Sequence, residues 1–317
     1  IVLLILAVAA LFFGIVPGEV ARQKNPVMMP PPYPVSAAAA DLHQGLFVAD
    51  LHADSLLRGR DLLAHGRSGH VDLPPLQLDN VGLQTFSVVT QVPAGRNFTR
   101  NASDALDIIS VLAIAQSLEG ELRNLDSLHA AGFRMLGLVH FLDNAVGGWV
   151  HGEHKGGLTD FGRALLQRAE QLGMLIDVAH ASAALVEDVL ALATRPVPSS
   201  HGGVRGTCDN QRSLSDTQAH AIAASGGVIG IGFWPRATCG DDVAAIVRAL
   251  RYAVDLVGVE HVALGSDFDG SVQVPFDASG LPLLTEALLQ AGFSPADIEK
   301  VMGSNVVRVL QSGLPAG

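Results

Sequence analysis

His52 and Asp54 stand one residue apart at the end of an apolar run, Leu46-Phe47-Val48-Ala49, and His180 and His201 close two later runs, Met174 to Ala179 and Pro196 to Ser200. Side chains of a strand alternate with period two, so His-x-Asp turns an imidazole and a carboxylate to one face. Imidazole nitrogens and carboxylate oxygens converging from several strand ends form the donor set of a divalent metal such as zinc. His140 and Asp267 end two further runs, Met135 to Val139 and Val262 to Ser266. One histidine at a strand end has a ready structural explanation, but unrelated histidines have no reason to share that position on successive strands. The pattern predicts a metallohydrolase. The remaining histidines, His43, His65, His70, His129, His151, His154, His220 and His261, fall in predicted helices or loops and are expected to be solvated.

The elements that must hold these residues follow a regular alternation past Gly132. Short apolar runs lead through polar loops into segments of helical periodicity, with Thr159 or Asp160, Ser182 and Ser215 as helix starts and Gly173 and Gly226 as stops. Strands alternating with helices of this length pair in parallel through right-handed crossovers. His52, Asp54, His140, His180, His201 and Asp267 each fall at the carboxyl end of a predicted strand. That is the face on which a (β/α)8 barrel assembles its site from different loops. An open doubly wound sheet would gather them at one switch point, and no glycine-rich phosphate fingerprint follows the first strand.

At 317 residues the chain suits one barrel domain, and its net charge of -11 argues against nucleic acid, because nothing offsets repulsion by a phosphate backbone. Residues 1–17 are nearly all apolar and are expected to be a signal peptide or membrane anchor, on the exported side of which the domain would lie. Residues 18–40, rich in Pro and Ala, suit an extended linker, and 41–317 form the catalytic domain. Cys208 and Cys239 permit one disulfide or two packed thiols. Oligomeric state is left open, a homodimer being one option.

Four stretches together resemble the renal (membrane) dipeptidase family of zinc peptidases: Asp50-Leu51-His52-Ala53-Asp54, Leu175-Ile176-Asp177-Val178-Ala179-His180-Ala181-Ser182, Ser199-Ser200-His201 and Gly265-Ser266-Asp267-Phe268-Asp269-Gly270. Arg212 and His140 fall in register with them. The resemblance implies a TIM-like barrel that hydrolyses dipeptides. It makes His52 and Asp54 ligands of one Zn2+ and His180 and His201 ligands of another, with a water activated between them attacking the peptide carbonyl. By the same resemblance Asp267 handles protons, His140 faces the carbonyl oxygen, and Arg212 clamps the free carboxylate of the dipeptide substrate. Asp50 and Asp177 are expected to be supporting residues. A different barrel amidohydrolase would begin with His-x-His, and this chain has His52-Ala53-Asp54.

The pattern departs from the family at the glutamate that bridges the two metals. Counting inward from His140 places it near Ala113, and the Glu-Gly pair of the interval is Glu119-Gly120, six residues later. The interval is also short, so a strand-helix unit between residues 90 and 132 is expected to be missing, with Ser103 to Ala131 forming one long amphipathic helix. On that expectation, either Glu119 is recruited or metal is bound poorly, and the chain is a catalytically impaired relative.

Overall fold

Short apolar runs become eight strands: β1 (Val48–Ala53), β2 (Val81–Val88), β3 (Leu112–Ile114), β4 (Met135–Gly137), β5 (Leu175–Asp177), β6 (Ser199–Gly202), β7 (Ile229–Ile231) and β8 (Val262–Leu264). They are drawn from a computed structural model that describes residues 16–58, 60–64, 66, 68–88, 112–114, 118 and 120–313. Every registered pair is parallel, and the strand order is β5-β4-β3-β2-β1-β8-β7-β6. That order runs stepwise around a barrel whose two terminal strands are β5 and β6. Those ends adjoin, since Val178 N donates to Pro198 O at 3.1 Å and Ser200 N donates to the Asp177 carboxylate at 2.8 Å.

The crossover helices include α1 (Arg123–Ala130), α2 (Asp160–Leu172), α3 (Ala183–Leu192), α4 (Asp216–Ala224) and α5 (Val243–Val257), and α6 (Asn305–Gly313) closes the described chain. Their starts are capped where the sequence places small polar residues. Thr159, Ser182 and Ser215 accept from the backbone N–H groups of Gly162, Leu185 and Gln218, satisfying donors that the first turn leaves open. Gly173 ends α2 with φ 75°, a left-handed conformation that suits glycine.

The expected missing unit is corrected in its strand half. Leu112 to Ile114, read from the sequence as part of one long helix, is β3, paired with Ser87 and Val88 of β2 and with Met135 to Gly137 of β4. A three-residue apolar run carries no period of its own, so its neighbours in space decide its conformation. Among the described residues of that stretch, the α-helix is α1. Residues 89–111, which precede β3, lie outside the described residues.

Ala49, Leu51, Met135, Leu175, Val228 and Ala263 form one buried cluster with Val306 and Val309 of α6. This helix closes the amino-terminal end of the barrel with apolar packing, which leaves the carboxyl end for chemistry. The segment expected to be an extended linker, residues 18–40, is helical at both ends, within Val16–Lys24 and Ala37–Gln44, and the stretch between these helices lies along the loop after β8. Val27 bridges Val274, Val274 N donates to Pro26 O at 3.1 Å, and Ser271 N donates to Asn25 Oδ1 at 2.8 Å. Residues 1–15, most of the expected anchor, lie outside the described residues. No helix among the described residues is long and apolar enough to cross a membrane. Cys208 and Cys239 are joined in a disulfide, which settles the choice left by the sequence.

Candidate metal centre

β1 and the loop after β8 are zipped together by backbone hydrogen bonds. Asp54 N donates to Phe268 O at 2.8 Å and Asp267 N donates to His52 O at 3.2 Å. The pairing sets His52 Nε2 3.6 Å from Asp54 Oδ1 and 3.7 Å from Asp267 Oδ1. His201, on β6, stacks on the His52 ring with centroids 3.8 Å apart. Its Nε2 lies 2.9 Å from His180 Nε2, and the His180 ring meets His140 edge to face at 4.5 Å. Arg212 donates from Nη2 to His201 O at 2.9 Å and makes no ion pair among the described residues. All the predicted site residues, His52, Asp54, His140, His180, His201, Arg212 and Asp267, therefore meet at one end of the barrel.

Two glycines, Gly230 of β7 and Gly265 just after β8, let the backbone of β6 come close. A Cβ on Gly230 or on Gly265 would stand 2.0 Å from Ser200 O, and one on Gly265 would also stand 2.9 Å from His201 Cα. His180 and Asp267 do not sit in strands at all. Each follows its strand by three residues in the left-handed region, with φ 66° and 60°. Non-glycine residues adopt that region at a cost and cluster at functional sites. Strand alternation says nothing about where these two side chains point; the turns aim them.

The supporting residues fix the state of the imidazoles. Ser200 Oγ donates to Asp177 Oδ2 at 2.5 Å, so it can only accept from His201 Nδ1, 2.9 Å away. The proton of His201 is thereby held on Nδ1, and its Nε2 lone pair faces the site. Asp50, expected to be a supporting residue, accepts from Ser266 N at 2.8 Å, Ser266 Oγ at 2.6 Å and Gln84 Nε2 at 2.7 Å.

Electrostatics divide the site into a charged half and a neutral half. Burial pulls the His52 pKa down, but Asp54, Asp267 and Asp177 outweigh it and hold it at about 9. Burial opposes the ionised form of Asp54 as well, and His52 with His140 more than offsets it, leaving the pKa below the usual carboxylate value. Burial, with Asp54 adding to it and His52 opposing, holds Asp267 well above the carboxylate range. Burial lowers His140 to about 4, and burial with the nearby Arg212 and histidine charges keeps His180 and His201 far below the ordinary imidazole value. Arg212 is lowered by burial to about 10, so it stays cationic.

This donor set fits a divalent cation. His180 and His201 are neutral and turn ring nitrogens toward each other. Asp54 Oδ1 and His52 Nδ1 are buried with no hydrogen-bond partner among the described residues, a costly state for polar atoms that a ligand would relieve. The proton that His52 keeps between two carboxylates stands where a cation would balance them.

Several residues differ from the sequence reading. His43, expected to be solvated, is buried against Thr285 Oγ1 and Asp79 O, at 2.8 and 3.1 Å. His70, also expected to be solvated, is buried and accepts from Asp269 N through Nδ1 at 2.9 Å. Glu119 lies outside the described residues. Ser200 and Ser266 are supporting residues that the sequence pattern does not single out, although each immediately precedes a predicted site residue, which is the available signal. Phe141 is a second omission: 63% exposed beside His140, with φ 62°, it forms the rim with Trp149, 6.1 Å away.

Comparison with known proteins agrees with the geometry. The model of the membrane dipeptidase family, peptidase family M19, matches residues 98–313. An uncharacterized protein in the pqqA 5' region of Klebsiella pneumoniae is 33% identical over 223 residues, which cover 65% of this chain and 82% of that protein. The dipeptidase verJ of Clonostachys rogersoniana is 33% identical over 203 residues, covering 61% of this chain, and the chain spans about half (51%) of that relative's length. Among solved structures, the probable dipeptidase PvdM from Pseudomonas aeruginosa superposes with a TM-score of 0.81 at 20% identity, covering 87% of this chain and 97% of its own, a likeness of fold.

Proposed function

The chain belongs to the membrane dipeptidase family, and we propose that it hydrolyses dipeptides with zinc held by His52, Asp54, His180 and His201. The observation that carries this reading is the meeting of neutral imidazole nitrogens and buried carboxylates from β1, β6 and the turns after β5 and β8. Zinc bound there would acidify a water and polarise the peptide carbonyl. Asp267, whose carboxyl holds a proton more readily than an ordinary aspartate, takes and returns the proton that must pass from the water to the leaving amine. His140 is neutral because it is buried, so it offers an uncharged N–H to the oxygen on which negative charge develops. Arg212, fixed by His201 O and lacking a carboxylate partner among the described residues, binds the free carboxylate of the dipeptide in a bidentate pair.

Residues 1–17 would tether or export the domain, so that it meets dipeptides outside the cytoplasm. Ala113 favours a second reading. It occupies β3 where an acidic bridge is expected, and a chain without that bridge could retain the site for binding with weakened catalysis.

The test is dipeptide hydrolysis by the full chain, followed as amine release, after loading with zinc and after chelation. Activity with zinc, lost on chelation and restored by zinc, is expected. Arg212→Ala is expected to raise KM by about 10 to 100-fold for dipeptides but not for dipeptide amides, which lack the carboxylate. Zinc-loaded protein that cleaves no dipeptide overturns the reading.

A further inference from the structure

Resting on the dipeptide-hydrolysis reading above, we propose that Asp269 and Arg60 are positioning residues, a buried clamp that holds Asp267 beside His52 and thereby sets the rate of the chemical step. Asp269 is fully buried, so it acts through its neighbours. The loop after β8 needs such a clamp. Asp267, Asp269 and Ser271 have φ of 60°, 62° and 65°, placing three non-glycine residues in the left-handed region at alternate positions. Residues other than glycine hold that conformation only where their surroundings over-determine it. Released, the loop would relax toward ordinary backbone and turn the Asp267 carboxylate away from its place, with Oδ1 3.7 Å from His52 Nε2.

The restraints converge on Asp269. Its carboxylate accepts from Ser55 Oγ at 2.6 Å, from Arg60 Nη2 at 2.7 Å and from His70 N at 2.9 Å, and its own N–H donates to His70 Nδ1 at 2.9 Å. Ser55 directly follows Asp54, whose N–H donates to Phe268 O. One carboxylate therefore pins the two segments on which Asp54 and Asp267 stand.

Arg60 anchors the clamp in turn. Its Nη1 donates to Ser68 O at 2.6 Å and to Asp72 Oδ1 at 2.8 Å, and its Nη2 donates also to Val71 O at 2.9 Å. A Cβ on Gly69, where φ is 96°, would stand 2.2 Å from Arg60 Cζ, so the backbone there lies directly on the guanidinium. A planar fork of N–H donors reaches these acceptors and Asp269 together, which an ammonium on a single stem does not. The clamp joins loops at the carboxyl end of the barrel, apart from the apolar cluster that α6 closes at the other end. Loosening it displaces Asp267 and leaves the strands paired. A shift of about 1 Å in a group that must meet a proton in the transition state can cost about 100-fold in rate.

The test compares the full chain with Asp269→Asn, Arg60→Lys and Ser55→Ala, each confirmed as folded by its melting curve, in two readouts. Hydrogen exchange followed by mass spectrometry reads the loop without turnover. Asp269→Asn is expected to speed exchange at least about 10-fold in the backbone of residues 266–271 and to leave β6 and β7 as in the wild type. Dipeptide hydrolysis, expressed per bound zinc, is expected to lose about 10 to 100-fold in kcat with KM within about threefold, because Arg212 still holds the substrate carboxylate. Arg60→Lys, which keeps the cation but not the fork, and Ser55→Ala, which removes one hydroxyl, are expected to fall between Asp269→Asn and the wild type in both readouts. Unchanged exchange over 266–271 in folded Asp269→Asn overturns the proposal; so does faster exchange there with kcat unchanged, or a loss that lies in KM alone. If Asp269→Asn does not fold, the same criteria apply to Ser55→Ala. Wild-type chain that takes up zinc and cleaves no dipeptide overturns the proposed activity instead, and exchange over 266–271 alone then decides the clamp.

Discussion

Two junctions of the barrel are fastened by the same device, yet they depend on it to different degrees. At β1 and β8, Asp50 accepts from the N–H and hydroxyl of Ser266 and from Gln84; at β5 and β6, Asp177 accepts from the N–H and hydroxyl of Ser200 and from Ala179 N. The first junction also has a registered pair, Asp50 with Leu264, and the backbone bonds that continue past it to Phe268 and Asp267. The second has no registered ladder among the described residues and is spanned by Val178 N to Pro198 O. A side chain there does what backbone does elsewhere. The same carboxylate, through Ser200, also decides which nitrogen of His201 faces the metal centre, so barrel closure and ligand chemistry share one residue.

The largest expected effect comes from breaking the second junction. Asp177→Ala strands two buried N–H donors and a hydroxyl, and is expected to lower stability by roughly 3–5 kcal/mol in denaturant titrations and to weaken metal binding at least 10-fold. Asp50→Ala, supported by neighbouring backbone bonds, is expected to cost about 2–3 kcal/mol. Equal losses in the two variants would show that the backbone pairing at β1 and β8 contributes nothing extra.

The serines separate fastening from ligand chemistry. Ser200→Ala and Ser266→Ala are each expected to cost about 1–2 kcal/mol, because each removes a hydroxyl from a buried aspartate. Only Ser200→Ala frees the His201 tautomer, and calorimetry should show its metal affinity falling by roughly 10-fold. Ser266 touches the carbonyl of His52 and not its ring, so its removal should leave affinity within about twofold. A matching loss in Ser266→Ala would break the distinction.

A third, half-buried carboxylate calibrates the comparison because it lacks such donors. Burial and the Asp277 carboxylate push Asp79 up to about 7, and its Oδ2 is without a hydrogen-bond partner among the described residues. The folded chain holds this proton over a range in which the unfolded chain, with a pKa near 3.9, has released it. The stabilisation by the neutral form is complete below the unfolded value and is lost as pH rises toward 7. Asp79→Asn is therefore expected to match the wild type near pH 4 and to be more stable at pH 8. Discounted for partial exposure, the gain is on the order of 1 kcal/mol, read from melting curves across pH. A variant less stable at pH 8 would mean that the Asp79 carboxylate has an unseen donor.

Particular residues show which parts of this were legible beforehand. His52 and Asp54 could be paired from sequence because strand alternation is local, and Thr159, Ser182 and Ser215 could be placed as caps because a cap is a contact between residues three apart. His180 and Asp267 could be assigned to strand ends, but their left-handed turns could not be foreseen, since nothing in either residue type favours positive φ enough to announce it. Leu112 to Ile114 departs from its expected helical conformation because three apolar residues carry no period. His43 and His70 are buried against the expectation from sequence because burial of a histidine depends on partners far along the chain, Thr285 and Asp269.

By itself the sequence determined the alternation of strands and helices, the helix caps, and the presence of imidazoles and carboxylates at successive strand ends, all consequences of short-range periodicity and side-chain chemistry. Only the closed barrel decided that His52 and His201, 149 positions apart, stack face to face, that β3 is a strand, and that Asp177 holds β6 and His201 together. These are contacts between distant segments, and their geometry exists only once parallel pairing has brought β5, β6, β8 and β1 around to one mouth.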